Sequence, residues 1–148
     1  MLQIRAREWL RASSIDDAHV NGVGTFVRMQ NNRQLSVWRK AHAIALNVRA
    51  LTDRIPTDGN RGVIDQLRRA SLSIPANIVE GSSRRTDKDF VKFLNIALGS
   101  TSEVEYHLQY AAGSGIITPR EFELRRQELV VIRMMLSGLI KYLREPKL

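Results

Sequence analysis

From Leu35 onward, apolar side chains recur every three or four positions, and no stretch alternates apolar and polar residues over the length of a strand. Trp38, Ala41, Ala45, Val48, Thr52 and Ile55 mark the stripe of a first helix. It stops at "IPTDGNRG", where Pro56, Gly59 and Gly62 supply turn chemistry. Ile64, Leu67, Ser71, Ile74 and Ile78 mark a second helix over about 63–81, with Gly81 as its stop. Thr86 then reads as an N-cap, with Asp87 and Asp89 in the first turn, where the helix dipole favours negative charge. Phe90, Leu94, Ala97, Thr101, Val104, Leu108 and Ala111 follow as the third stripe, ending near Gly113 to Gly115. "TPRE" gives a fourth helix a capping box, Thr118 with Glu121, and places Pro119 at the first helical position. Leu129, Ile132, Leu136, Leu139 and Leu143 carry its stripe, and Pro146 ends it.

Four such stripes joined by short connections predict an all-α fold, an up-down-up-down antiparallel four-helix bundle over 34–148. Residues 1–33 lack a sustained period and read as an extension, poorly ordered or with a short helix over 4–11. Met29, just before the regular part, is a candidate natural start. "GVG" within the extension lacks the third glycine of a dinucleotide fingerprint.

The second helix poses a question. Pro75 lies inside it and should kink it, because proline lacks an N–H and clashes with the carbonyl of Ser71. Ser71 and Ser73 can supply hydrogen bonds near the break. Asn77 and Glu80 lie close to the apolar stripe. The expectation is a polar network of Ser73, Asn77, Glu80, Ser100 and Glu103, within the chain or across a subunit boundary, with Gly99 permitting close helix approach at the same level. Val130, Val131, Met134 and Met135 on the fourth helix, with Phe93, Ile96 and Leu98 on the third, widen the apolar arcs beyond one core's need. They read either as a generous core or as a subunit interface, and the second is favoured.

Composition narrows the function. The 148 residues include no cysteine, which excludes disulfides, thiol nucleophiles and cysteine zinc sites, and no apolar run is long enough to span a bilayer. The N-terminus lacks the h-region of a secretory signal, so a cytoplasmic protein is expected. His19, His42 and His107 share no ligand spacing; Glu103 and His107 are an i, i+4 pair that reads as a salt bridge rather than a metal site. No cofactor, metal or catalytic motif stands out, and a non-enzymatic protein is expected.

The net charge of +8 makes nucleic acid a sensible partner, although interspersed acids fit a simply well-solvated surface too. Residues 34–148 hold 18 Lys and Arg against 12 Asp and Glu, a surplus of six. Arg68, Arg69, Arg84, Arg85, Lys88 and Lys92 are the candidate nucleic-acid contacts, since a guanidinium presents a planar donor fork to phosphate. Aromatic interleaving is sparse, so contact should be mainly with phosphates and weakly sequence-specific.

"VWRKAHAIALNVRALTDRIP", "GVIDQLRRASLSIPANIVEGSSRRTDKDFVKFLNIALGSTSEVEYHL" and "MLSGLIKYL" resemble the four-helix bundle family typified by the bacterial 23S rRNA intervening-sequence proteins, over nearly all of 35–143. The shared positions are Gln66, Arg68, Arg69, Ser73, Asn77, Glu80, Gly81, Arg84, Asp89, Gly99, Ser100 and Glu103; Ala70-Ser71 is a minor departure. The resemblance implies a small cytoplasmic bundle, usually a homopentamer, of which some members are encoded within insertions in ribosomal RNA genes. A related branch serves as accessory proteins of diversity-generating retroelements, binding reverse transcriptase and nucleic acid. Two functions follow as expectations. One is an RNA-associated scaffold; the other is a protein-interaction module docking a partner such as a reverse transcriptase.

Overall fold

A computed structural model describes residues 32–146. The candidate start at Met29 and the short helix over 4–11 lie outside them. The described chain is all-helical, with four helices and no strand. They are α1 (Asn32–Asp53), α2 (Arg61–Ser82), α3 (Asp87–Gly113) and α4 (Pro119–Arg144). Each packs on the next in sequence, and α1 also packs on α4, so four contact seams enclose one core.

The starts of α3 and α4 are where the capping chemistry places them, whereas α2 runs through Gly81, its expected stop, to Ser82. Thr86 Oγ1 accepts the Asp89 backbone N–H at 3.1 Å, and Asp87 and Asp89 occupy the first turn of α3. At α4 the capping box is complete: Thr118 Oγ1 accepts from Glu121 N at 3.1 Å, and Glu121 Oε2 accepts from Thr118 N at 3.0 Å. Two loop positions need left-handed backbone, and glycine fills both: Gly59 at φ 73° and Gly115 at φ 72°.

The core is led by Phe90, Leu67, Leu94, Leu108, Leu129 and Leu136, all fully buried. Every expected stripe position of α2, α3 and α4 is buried. In α1 the stripe needs correction. Val37, Ile44 and Leu51 are buried alongside Ala41, Ala45, Val48, Thr52 and Ile55, whereas Trp38 is only half-buried and stacks on His42 at 5.2 Å. The buried arc of α1 is thus wider than the single stripe of the spacing count and is centred between Ala41 and Ile44 rather than on Trp38. α2 runs continuously from Arg61 to Ser82 with Pro75 buried inside it.

Candidate nucleic-acid interface

The connection between α2 and α3 is the four residues Ser83, Arg84, Arg85 and Thr86, flanked by Gly81 on α2 and by Phe90 and Phe93 on α3. Ser82 Oγ donates to the Val79 carbonyl and Ser83 Oγ to the Glu80 carbonyl, each at 2.7 Å, so hydroxyls satisfy carbonyls that the ending helix leaves over. The chain then closes with Arg84 N on the Gly81 carbonyl at 3.0 Å. Gly81 is where α2 meets α3 most tightly. A Cβ there would lie 2.6 Å from Phe90 Cδ2 and 2.7 Å from Phe93 Cβ, so no larger residue fits without moving α3. Gly99, expected to permit close approach, faces open space and does not serve that purpose.

The six candidate cations separate into two groups. Arg84, Arg85, Lys88 and Lys92 cluster on the turn and the first turns of α3. Arg68 lies 14 residues before the end of α2, roughly 21 Å along a helix rising 1.5 Å per residue. Arg68 is half-buried and occupied: Nε donates to Thr52 Oγ1 at 2.8 Å and Nη2 to Asp53 Oδ1 at 2.7 Å, which ties α2 to the end of α1. Its neighbour Arg69 is exposed. Within the turn group, Arg84 pairs with Glu80 and lies 4.6 Å over the Phe93 ring. Lys92 pairs with Asp89 at 2.8 Å; that hydrogen bond, with a second from Thr86, holds the Asp89 carboxyl below its ordinary value. Arg85 and Lys88 are exposed and form no ion pair among the described residues. They are the turn's available positive charge.

The expected polar network is smaller than five residues. Ser73 and Ser100 hydroxyls meet at 2.8 Å across the seam between α2 and α3, and Asn77 Nδ2 donates to Ser73 Oγ at 3.0 Å and to the Ser73 carbonyl at 2.8 Å. Ser100 is 6 % exposed, so this is a nearly dry contact. Glu80 and Glu103 fall outside it. Glu80 turns along its own helix to Arg84, and Glu103 faces solvent beside His107, whose Nε2 is 3.7 Å away. The reason is reach: both carboxylates lie about one turn further along their helices and meet partners on their own element, Arg84 and His107, before they meet the serine pair.

A second polar cluster, on the seam between α1 and α4, has no signature in the sequence pattern. Arg125, only 8 % exposed, places Nη1 3.2 Å from Glu128 Oε2, and Asn47 Nδ2 donates to Glu128 Oε1 at 2.9 Å. Burial raises the Glu128 carboxyl above its ordinary value; Arg125, the Asn47 hydrogen bond and Lys40 pull the other way. Among the described residues no group of histidines and carboxylates is placed to hold a metal ion, and no helix is long and apolar enough to cross a membrane.

Beside the turn group, α3 and α4 enclose an open cleft of about 510 Å³. Asn95 and Leu98 of α3 face Ser137, Ile140, Lys141 and Arg144 of α4, so the last turns of α4 lie beside the early turns of α3. Lys141 and Arg144 are readable from "IKYLREP" only as helix-end charges; the fold brings them opposite Asn95 and Leu98 of α3.

Residues 33–138 match the family model of the 23S rRNA-intervening sequence protein. The chain belongs to this family. A similar solved structure is that of a protein of unknown function from the S23 ribosomal protein family of Bacteroides thetaiotaomicron VPI-5482. It is 27 % identical, with a TM-score of 0.66 over 74 % of this chain and 98 % of that one. No curated protein matches the chain.

Proposed function

We propose that this chain is a non-enzymatic, RNA-associated scaffold of the cytoplasm: a basic, up-down-up-down bundle, kinked at Pro75, that assembles into a ring of about five copies and grips RNA through phosphates. The observation that carries this reading is the turn between α2 and α3, where Arg85 and Lys88 stand exposed and without ion-pair partners among the described residues. Family membership adds weight, since the family's description ties it to 23S rRNA. The short connections and the sequential packing of the four helices support the antiparallel topology. Arg68 is set aside as a contact, because Thr52 and Asp53 already take its donors.

The test is a titration of 23S rRNA fragments at several salt concentrations. Arg85→Glu with Lys88→Glu should flatten the salt dependence and weaken binding at least tenfold; each lost phosphate contact lowers the slope of log K against log salt by roughly 0.7 to 0.9. Unchanged binding and slope would remove the turn from the interface.

A second reading is favoured by a different observation. Met134 is 70 % exposed and Ile96 51 %. Apolar surface of this kind suits protein contacts, and a protein partner such as a reverse transcriptase would use charge only to steer encounter. Retention of such a partner by the turn variants, with no RNA bound by the unaltered protein, would favour it.

A further inference from the structure

The cleft between α3 and α4 has the features of a site for one unstacked nucleotide. Its floor is aliphatic: Ile140 is 6 % exposed and Leu98 is partly buried against the core. Its volume, about 510 Å³, falls in the range of small-molecule sites. Above the floor stand groups suited to a base edge. Asn95 spends one N–H on the Val91 carbonyl at 2.9 Å, which leaves its carbonyl oxygen and second N–H for another partner. The α4 wall presents Ser137, Lys141 and Arg144 at i, i+4 and i+7, one face of one helix. Lys141 and Arg144 are exposed and form no ion pair among the described residues, although Glu145 stands at the rim.

The approach to the cleft is also basic. Lys88, Lys92 and Asn95 follow at i, i+4 and i+7 on α3, so one face carries two lysines, Lys92 already paired with Asp89, from the α2–α3 turn to the cleft over about 10 Å of helix. A strand held at Arg85 and Lys88 by its phosphates would be led along this face. A base turned out of its stack offers a face for the aliphatic floor and an edge for Asn95, both of which a duplex keeps inside its stack.

We propose that this cleft takes one nucleotide of a single-stranded RNA segment, its base on Leu98 and Ile140 and its phosphate between Lys141 and Arg144. The proposal rests on the RNA-associated reading and names the part of the RNA that the bundle recognises. An aliphatic floor gives less stacking than an aromatic one, so the site is phosphate-led and weakly base-selective.

The experiment uses the full chain with labelled leucine and isoleucine methyls, titrated with adenosine 5′-monophosphate and separately with inorganic phosphate. The Leu98 and Ile140 signals should move with the nucleotide and stay with phosphate alone. In Lys141→Ala with Arg144→Ala, nucleotide affinity should fall roughly tenfold, as expected for two lost charge-assisted contacts. The same variant should weaken an RNA hairpin carrying a single-stranded loop and leave a blunt RNA duplex unaffected, whereas Arg85→Glu with Lys88→Glu weakens both. Methyl signals that ignore the nucleotide overturn the proposal, as does equal weakening of loop and duplex; in either case duplex binding by the unaltered protein leaves the wider RNA reading standing. Nucleotide shifts in a protein that binds no RNA would make the cleft a site for free nucleotide and overturn the proposal together with the wider reading. Shifts produced by an acidic peptide and not by the nucleotide would overturn the proposal in favour of a protein partner.

Discussion

At the scale of single residues, two polar clusters separate a hydrogen bond that holds helices together from charges that merely share a surface. Asn77 bridges backbone and side chain of Ser73, which in turn meets Ser100 on the next helix. Asn77→Ala removes the donor and leaves a half-buried hydroxyl pair short of a partner, so it should cost about 1 kcal/mol in denaturant unfolding. Glu80→Gln changes only an exposed pair with Arg84 and should leave stability nearly unaltered. Equal effects of the two would mean that the serine–asparagine contact adds nothing to the hold between α2 and α3. Glu128 carries a pH signature. Burial raises its carboxyl above the ordinary 4.5, so folding binds its proton more tightly than the unfolded chain does. The stability this adds is complete below 4.5 and is lost as pH rises through the raised folded value. The melting temperature of the unaltered protein, minus that of Glu128→Gln, should therefore fall as pH climbs from 4.5 toward neutrality. A difference that rises with pH would mean that Arg125, rather than burial, governs the carboxyl.

At the scale of elements, the caps are the most transferable features. Thr118→Ala removes the hydroxyl half of the capping box, leaving only the backbone N–H on the Glu121 carboxylate, and should cost about 1 kcal/mol, read as a lower melting temperature. Asn60→Ala is the contrast: Asn60 stands before α2 but makes no side-chain cap bond, so its loss from that position should be felt less. A larger loss at Asn60 than at Thr118 would contradict this ranking. These caps, and the stripes of α2 to α4, were legible because spacing and capping are local. The α1 stripe was offset because Val37, Ile44 and Leu51 lie beside an equally apolar row that includes Trp38, and spacing alone does not say which of two adjoining rows faces the core. Glycine roles were illegible for the same reason. Gly81 and Gly99 look alike in sequence, and only the arrival of Phe90 and Phe93 distinguishes a tight contact from an open position. The candidate interface divides likewise. "SSRRTDK" is contiguous, so its cations were bound to cluster. Arg68 was taken up by Asp53 and Thr52 through a contact between helices, and Lys141 and Arg144 arrive only with the folded α4.

At the scale of the whole molecule, the apolar residues left outside the core offer two faces that the proposed ring could use. On α4, Leu124, Val131, Met134 and Tyr142 are exposed on spacings that follow one outward face. On α2, Leu72 at 61 % and Val79 at 44 % exposure stand seven residues apart on another. α2 and α4 each pack on α1 and α3 but share no principal contact, so they occupy opposite corners of the bundle. Two different apolar faces on opposite sides are what a head-to-tail assembly needs, whereas a two-fold dimer would reuse one face. If the faces join in this way, Met134→Lys or Leu72→Lys should each reduce a ring to smaller species in size-exclusion chromatography with light scattering. Mixing the two variants then gives the decisive outcome. The intact α2 face of the Met134→Lys chain can meet the intact α4 face of the Leu72→Lys chain, while the altered faces at either end block further addition. A head-to-tail ring thus predicts a capped heterodimer from the mixture and no ring. Rings that reform on mixing would show that these two faces do not pair, and rings that survive both single changes would place the contact between copies elsewhere on the bundle.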